Sequence, residues 1–397
     1  MKRLMQSLAL ITLMGYVSFT GCKKEKPISS VVYPPPPPSP PPLPSLPSII
    51  NLHLTLFDTL SKARYNIVTG AAGNKILFAG GRYGENCVVP GGDYGDSIAS
   101  VCLSESSRVD IYDTSTHSWS THELGRYYVG TSTITVRNKV FFAGGINASD
   151  RTWSDKVDVY DAATNSWSII QLSEARAGLA VASHGNKVFF AGGIKSLGFQ
   201  NVVVSNRVDI YDISSNSWST ATLSEARTGI AATTAGDKVI FAGGDYFGWW
   251  PVSNRIDIYN STTNTWSTAS LSEARSSLAA ATIDSRGFFA GGITGFNTSP
   301  SHNVDIYNDS TGTWSVEQVN IWGLYLNAVS LNNKLLILYG KYGNMYNALT
   351  NSWPDVTLDQ ELGWPGIIAV GDYVYFAGGQ VSYAQGYQTN TVWRVKL

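Results

Sequence analysis

Five arginines at the ends of short, related segments are the first candidates for chemistry in this chain. They are Arg64, Arg126, Arg176, Arg227 and Arg275. Three of them close identical Leu-Ser-Glu-Ala-Arg segments. A guanidinium group suits recognition of a carboxylate or a phosphate. The alternative is local pairing, in which each arginine binds a glutamate of its own segment or an aspartate of the same repeat.

One aromatic cluster, Tyr246, Phe247, Trp249 and Trp250, interrupts an otherwise regular pattern. Exposed aromatic rings on a ligand-binding face suit stacking on sugars or peptides. The same rings could instead fold inward and cover the top of the domain. An adjacent pair of tryptophans is costly to expose without use, so we favour binding for Trp249 and Trp250.

Cys87 and Cys102 lie in one long segment between Gly81 and Val109. Outside the cytoplasm two such cysteines are expected to oxidise together, which stabilises a fold by roughly 3 kcal/mol in the chain-entropy model. A catalytic thiol is the alternative, but the segment contains no histidine. The histidines elsewhere show no paired metal spacing, so we expect neither a metal nor a cofactor.

Diglycines recur along the chain, mostly as Phe-Ala-Gly-Gly. A phosphate-binding loop needs a strand, a glycine-rich loop and then the N-terminus of a helix. Here each diglycine ends one apolar run and precedes another strand-like run, so a structural role is favoured over phosphate binding.

The elements that would position these residues form a repeat. After each of the first five diglycines comes an apolar segment with Asp and Tyr, and a tryptophan follows seven residues after that tyrosine. The tyrosines are Tyr112, Tyr160, Tyr211, Tyr259 and Tyr307, and the tryptophans are Trp119, Trp167, Trp218, Trp266 and Trp314. This period of about 50 residues resembles the kelch repeat. The resemblance implies that each unit is a four-stranded blade of an all-β propeller.

Counting these units predicts seven blades. The sixth is degraded around Leu338-Tyr339-Gly340, and the seventh ends with Trp393 at the tyrosine position. The seventh lacks a fourth strand, which His53–Leu60 can supply. The N-terminal strand is therefore expected to complete the last blade, because closure of the ring removes exposed strand edges.

In such a propeller the five arginines lie at links between blades. These links share a face with the loops between the second and third strands, and kelch proteins commonly bind ligands there. The resemblance therefore implies an arc of arginines around one mouth of the central channel, beside the loop aromatics.

The first 47 residues differ in composition from the rest. Lys2 and Arg3 precede an apolar run that ends at Phe19-Thr20-Gly21-Cys22, which resembles a bacterial lipoprotein signal. An ordinary signal peptide is the alternative. We expect a signal peptide over 1–21, a lipidated Cys22 opening a Pro-rich linker over 22–47, and the propeller over 48–397. The linker is interpreted as a stalk rather than as a proline-rich ligand.

Two function classes remain open. The net charge of -1 makes nucleic acid a poor partner. The leader, linker and repeats favour a monomeric, lipid-anchored binding module of the cell envelope that engages protein, peptide or glycan. The alternative is an envelope carbohydrate enzyme similar to the kelch-fold sialic-acid epimerases, which would use adjacent Glu and Arg of the links. The sequence favours the binding module over the enzyme.

Overall fold

The computed structural model describes residues 49–89, 98–125, 130–147, 150, 152–196, 201–246, 251–295, 299–321, 323, 326–382 and 387–397. Their side chains are described except at 85–89, 98–103, 382 and 387. The expected leader, Cys22 and the Pro-rich linker lie outside the described residues. So do Arg126, Phe247, Trp249 and Trp250.

The first two strands are β1 (Ile49–Leu52) and β2 (Thr55–Thr59). Blade one and its long loop contain β3 (Val68–Ala72), β4 (Lys75–Ala79), β5 (Arg82–Val89), β6 (Ile98–Glu105), β7 (Arg108–Asp113) and β8 (Ser118–Glu123). Blade two contains β9 (Ser132–Val136), β10 (Lys139–Ala143), β11 (Lys156–Asp161) and β12 (Ser166–Gln171). Blade three and its loop contain β13 (Ala180–His184), β14 (Lys187–Ala191), β15 (Ile194–Ser196), β16 (Val202–Val204), β17 (Arg207–Asp212) and β18 (Ser217–Thr222).

Blade four contains β19 (Ala231–Ala235), β20 (Lys238–Ala242), β21 (Arg255–Asn260) and β22 (Thr265–Ser270). Blade five contains β23 (Ala279–Ile283), β24 (Arg286–Ala290), β25 (Asn303–Asn308) and β26 (Thr313–Gln318). Blade six contains β27 (Asn327–Leu331), β28 (Lys334–Tyr339), β29 (Tyr342–Asn347) and β30 (Asp355–Leu358). Blade seven and its loop contain β31 (Gly366–Val370), β32 (Tyr373–Ala377), β33 (Gln380–Ser382), β34 (Tyr387–Gln388) and β35 (Thr391–Lys396).

These strands form seven antiparallel blades, which confirms the predicted seven-bladed propeller. Within the described parts of the chain no helix is present, and therefore none is long and apolar enough to cross a membrane. The second strand of each blade has successive residues buried, as in Lys187–Ala191, because it lies between two neighbouring sheets. The outer strand alternates exposed and half-buried residues, as in Ser217–Thr222.

The hydrophobic core lies between blades rather than within them. Tyr160 of blade two packs with Leu77 and Val109 of blade one, and Tyr211 of blade three packs with Phe141 and Val159 of blade two. The repeated tyrosines and tryptophans thus fill the space between neighbouring sheets. They belong to the core because one twisted sheet cannot bury both of its own faces.

The N-terminal strand closes the ring as predicted. β2 pairs antiparallel with β35 and is the outer strand of blade seven. A bulge at Phe57 turns its ring edge-on to Tyr112 of blade one and Tyr375 of blade seven, at centroid distances of 4.9 and 5.1 Å. The chain is therefore held to both blades at the point of closure.

Two details of the closure differ from expectation. β1 adds a fifth strand to blade six by pairing in parallel with β30. In addition, the partner of Phe376 on the third strand of blade seven is Trp393. The equivalent phenylalanine of blade one, Phe78, pairs with the repeat aspartate Asp110. Trp393 therefore occupies the aspartate position, and Val395 occupies the tyrosine position. The prediction that Trp393 replaces the tyrosine is wrong by two residues.

The long loop of blade one contains a two-stranded ribbon, β5 and β6. Its backbone register pairs Cys87 with Ser100 and Glu85 with Cys102. The cysteine side chains lie outside the described ones, so the predicted disulfide stays a prediction.

Candidate functional site

Four of the five candidate arginines are buried inside the propeller. Arg64, Arg176, Arg227 and Arg275 have an exposure of 0%. Each donates a hydrogen bond from Nη2 to the aspartate of its own blade; the acceptors are Asp110, Asp209, Asp257 and Asp305. Burial lowers the pKa of each guanidinium, and the paired aspartate opposes this shift. The expected arc of ligand-binding arginines is therefore wrong for these four, and the local-pairing alternative describes them.

Each buried arginine also joins two blades. Arg227 donates from Nη1 to the carbonyls of Gly243 and Arg255 in its own blade, at 2.6 and 2.7 Å. Its own carbonyl accepts from Gly193 N of the preceding blade at 2.9 Å. This contact explains the diglycine, because a Cβ on Gly192 would lie 2.7 Å from the Arg227 carbonyl oxygen. Both glycines also have positive φ values, 63° and 89°.

The fifth arginine, Arg126, lies outside the described residues. In the link that leads into blade three, Arg176 lies four residues after the opening leucine, Leu172. In the link that leads into blade two, the residue four positions after Leu124 is Tyr128. Arg126 is therefore two residues short of the position that the other four share.

The glutamates beside these arginines face the loops. Glu174 accepts from Lys195 Nζ at 2.5 Å and from Ser205 Oγ. Burial raises its pKa, but these hydrogen bonds outweigh burial and hold the pKa below the ordinary value of 4.5. Since the neighbouring Arg176 is buried on Asp209, the Glu and Arg of this link do not form a joint site for an anionic substrate.

Tyr246 is the one residue of the aromatic cluster within the described part of the chain. Its ring is 40% exposed, and its hydroxyl donates to Glu225 at 3.0 Å. Burial, followed by the bond to Glu225, raises the pKa of Tyr246. Its exposed ring agrees with the binding interpretation, whereas Phe247, Trp249 and Trp250 remain predictions.

A cavity of about 650 Å³ opens where the links between blades approach the central channel, and we call it the axial mouth. Five blades contribute its lining: Tyr65, Asn66, Ile67, Arg82, Gly229, Ile230, Ser277, Leu278, Leu326, Asn327, Trp364 and Pro365. Such a volume is in the range of small-molecule and peptide side-chain sites. Among the residues that the structure describes, none of the candidates predicted from the sequence lines it.

Backbone hydrogen bonds between neighbouring links shape this mouth. Asn66 N donates to Trp364 O at 2.9 Å, and Ser277 N donates to Gly229 O at 2.9 Å. One position of the links is a glycine in blades two, three and four. In blades one, five and seven this position is Asn66, Ser277 and Trp364, and these residues have positive φ values of 54°, 55° and 49°. A left-handed tryptophan is costly, about 1–3 kcal/mol. Such strain is typical of functional positions.

The residue after the diglycine pairs with a link residue in several blades, as Arg82 pairs with Tyr65, and Arg82 also lines the mouth. The residue after the diglycine is isoleucine in blades two, three and five, but Arg82, Asp245 and Gln380 in blades one, four and seven. Arg82 lies 3.7 Å from Glu105 and keeps 38% of its side chain exposed. It is therefore the cation that the mouth offers to a ligand. The departure from isoleucine was a signal in the sequence that could have identified Arg82.

Within the described residues, no group of three or more His, Cys, Asp or Glu side chains could hold a metal ion. The described part of the axial mouth presents polar, aromatic and guanidinium groups suited to non-covalent recognition.

A match to a protein-family model agrees with the repeats of the chain. The kelch motif model matches residues 128–171 and 175–222, which span the strands of blades two and three. A solved structure entitled "Structure of YjhT" is 17% identical and covers 64% of this chain and 84% of its own, with a TM-score of 0.47. No curated protein sequence matches the chain.

Proposed function

We propose that this seven-bladed propeller with kelch repeats is a binding module that engages a peptide or glycan segment at the axial mouth. One observation carries the proposal: five blades place polar and aromatic side chains around a cavity of about 650 Å³. Trp364 stands there in a strained left-handed conformation that a glycine would relieve. Arg82 supplies a cation beside the aromatic pair Tyr65 and Trp364, whose rings lie 6.0 Å apart.

We also propose that the module acts as a monomer held in the cell envelope by a lipid on Cys22. This rests on the sequence of the leader and on the Pro-rich segment that follows it. The epimerase alternative loses its basis in the links, since the arginines of three Leu-Ser-Glu-Ala-Arg segments are buried. We therefore retain the binding module alone.

A thermal-shift screen of residues 48–397 against peptides and glycans tests the proposal. A ligand at 100 times its dissociation constant adds about 2.7 kcal/mol and moves the midpoint by a few degrees. We expect Arg82→Gln and Trp364→Gly to abolish the shift. Trp364→Gly relieves backbone strain but also removes the ring contact with Tyr65, so the midpoint of this variant without ligand is measured to show that it is folded.

Arg255→Gln is the matched control, because Arg255 is 39% exposed, pairs with Glu225 and does not line the mouth. Retention of the shift in this variant supports the axial mouth. A shift that survives both mouth substitutions but is lost in Trp249→Ala/Trp250→Ala would move the site to the aromatic cluster. Absence of any shift, together with no partner recovered by cross-linking in envelopes, would overturn the proposal.

A further inference from the structure

Blade six departs from the repeat at several positions that meet in space. In blade three, Glu174, Arg176 and Asp209 form a charged cluster. The equivalent residues of blade six are an isoleucine, a glycine and an asparagine. A tyrosine replaces the first glycine of the diglycine, and a glycine replaces the buried valine that precedes the aspartate. These residues are Ile321, Gly323, Asn344, Tyr339 and Gly343.

The substitutions remove side-chain volume as well as charge. Blade six lacks the arginine, and Tyr339 lies over Gly323, where a Cβ would be 2.2 Å from the tyrosine ring. Gly343 cannot regain a side chain, because its Cβ would lie 2.0 Å from the Ile337 carbonyl oxygen. The loop is also shortened to a tight turn, since Tyr339 pairs directly with Tyr342.

An apolar pocket of about 380 Å³ results, and we call it the blade-six pocket. Its walls include Ile321 and Ile337, which are 3% and 1% exposed, and Leu326, which packs against the same cluster. Tyr339 and Tyr342 stand at its rim with 38% and 58% of their surface exposed. A pocket of this size with mostly apolar walls and a few polar groups is typical of a small-ligand site.

The polar groups of the pocket indicate the charge of its ligand. Asp355 is the one acidic or basic side chain among the described lining residues. Its Oδ1 accepts from Asn344 Nδ2 at 2.8 Å. The Lys341 ammonium lies 5.3 Å from the centroid of the Tyr342 ring, which shows that a cation can approach this ring. A carboxylate beside two tyrosines is suited to an organic cation.

We propose that the blade-six pocket binds a small organic cation, an ammonium group carried on an aromatic or aliphatic body. The apolar body packs against Ile321, Leu326 and Ile337, and the ammonium group lies between Asp355 and the tyrosine rings. This site uses other residues than the axial mouth, apart from Leu326, which lines both. It does not depend on the proposed function.

Calorimetric titration with benzyltrimethylammonium chloride tests the site, with sodium benzoate as the anionic counterpart. We expect the cation to bind residues 48–397 and benzoate to bind at least tenfold more weakly. Asp355→Asn keeps an acceptor for Asn344 and removes the charge, and should weaken binding of the cation by about tenfold. Thr357→Trp places an indole into the pocket from its rim and should abolish binding.

Thr222→Trp is the matched control, because Thr222 holds the same position on the outer strand of blade three as Thr357 on that of blade six. Binding that is retained in Thr222→Trp and lost in Thr357→Trp supports the pocket. Equal binding by both tryptophan variants, equal binding of cation and benzoate, or no binding to the unmodified protein would each overturn the proposal. Thermal midpoints of all variants confirm folding.

Discussion

Each of the four buried arginines connects two neighbouring blades. Its side chain donates to its own blade, and its backbone carbonyl accepts a hydrogen bond from the preceding blade. A buried guanidinium is costly to desolvate, and its aspartate and two carbonyl acceptors offset this cost. The aspartates use their second oxygen as well: Asp257 Oδ1 accepts from Ser224 N of the link at 2.8 Å. The pair thus fixes the path of the link at each of these blades.

Removal of one partner of such a pair should be far more costly than removal of both. Arg227→Met leaves Asp257 buried without its cation, and we expect the free energy of unfolding to fall by about 3–5 kcal/mol. Arg227→Met/Asp257→Leu should lose less than Arg227→Met alone. Urea denaturation of the variants measures both values.

The control for this prediction is Arg255→Met. Arg255 pairs with Glu225 at 3.4 Å, but its side chain is 39% exposed. An exposed pair contributes about 0–1 kcal/mol, so this variant should remain close to the unmodified protein. A double variant that loses the sum of its two single losses would contradict the account of the buried pair.

The glutamate of the third link should contribute to the dependence of stability on pH. The pKa of Glu174 is below its ordinary value of 4.5 in the folded protein. A lowered pKa contributes stability above the unfolded value, and this contribution is lost as the pH falls through the folded value. The difference in unfolding free energy between the unmodified protein and Glu174→Gln should therefore shrink as the pH falls below about 4.5.

Urea denaturation at pH 7, 5, 4 and 3 measures this difference. Glu273→Gln provides a comparison at the equivalent position of another link, where Thr294 replaces the lysine that binds Glu174. A difference for Glu174→Gln that stays constant between pH 7 and pH 3 would contradict the prediction.

At the scale of strands, the sequence predicted most of the fold because each repeat carries its own signals. The tyrosine–tryptophan spacing places the third and fourth strands of five blades, and the diglycine marks the end of the second. The third strand of blade seven has lost both the aspartate and the tyrosine, so Trp393, the aromatic residue of that strand, was assigned to the wrong position. The register of β32 with β35 settles the assignment.

The site could be predicted less well than the strands. An arginine that recurs with a repeat suits an exposed arc and a buried pair equally, and only the geometry of the links distinguishes them. The axial mouth depends on residues from distant parts of the chain, such as Asn66 and Trp364. Their proximity results from the closure of the ring, which single repeats do not encode.

The two N-terminal strands should contribute unequally to stability. A chain that begins at residue 54 lacks β1 and with it the burial of Leu52, which is 9% exposed. We expect it to lose about 2–4 kcal/mol relative to a chain that begins at residue 48. A chain that begins at residue 61 also lacks β2, which leaves the edge of blade seven open, and should aggregate.

Thermal midpoints and size-exclusion chromatography of the three chains test this order. The contribution assigned to β2 would be wrong if the chain beginning at residue 61 remained monomeric and as stable as the chain beginning at residue 54.

At the scale of the whole molecule, the proposed attachment makes a direct prediction. If Cys22 carries a lipid, cells that express the full chain should incorporate labelled palmitate into the protein. Cys22→Ala should abolish the label and move the protein to the soluble fraction, because the anchor supplies the membrane affinity. Cys87→Ala is the control and should keep the label. A label that persists in Cys22→Ala would exclude lipidation at this residue.

The position of β1 has a mechanical consequence. A force that pulls on the chain from residue 48 reaches β1 first, and β1 is held to β30 by four residue pairs in parallel register. The closing strand β2 follows only after the His53–Leu54 junction, where Asp359 accepts from Leu54 N at 3.1 Å. Under load, blade six would therefore release its added strand before the ring itself opens, and β1 would serve as a sacrificial strand that protects the closure.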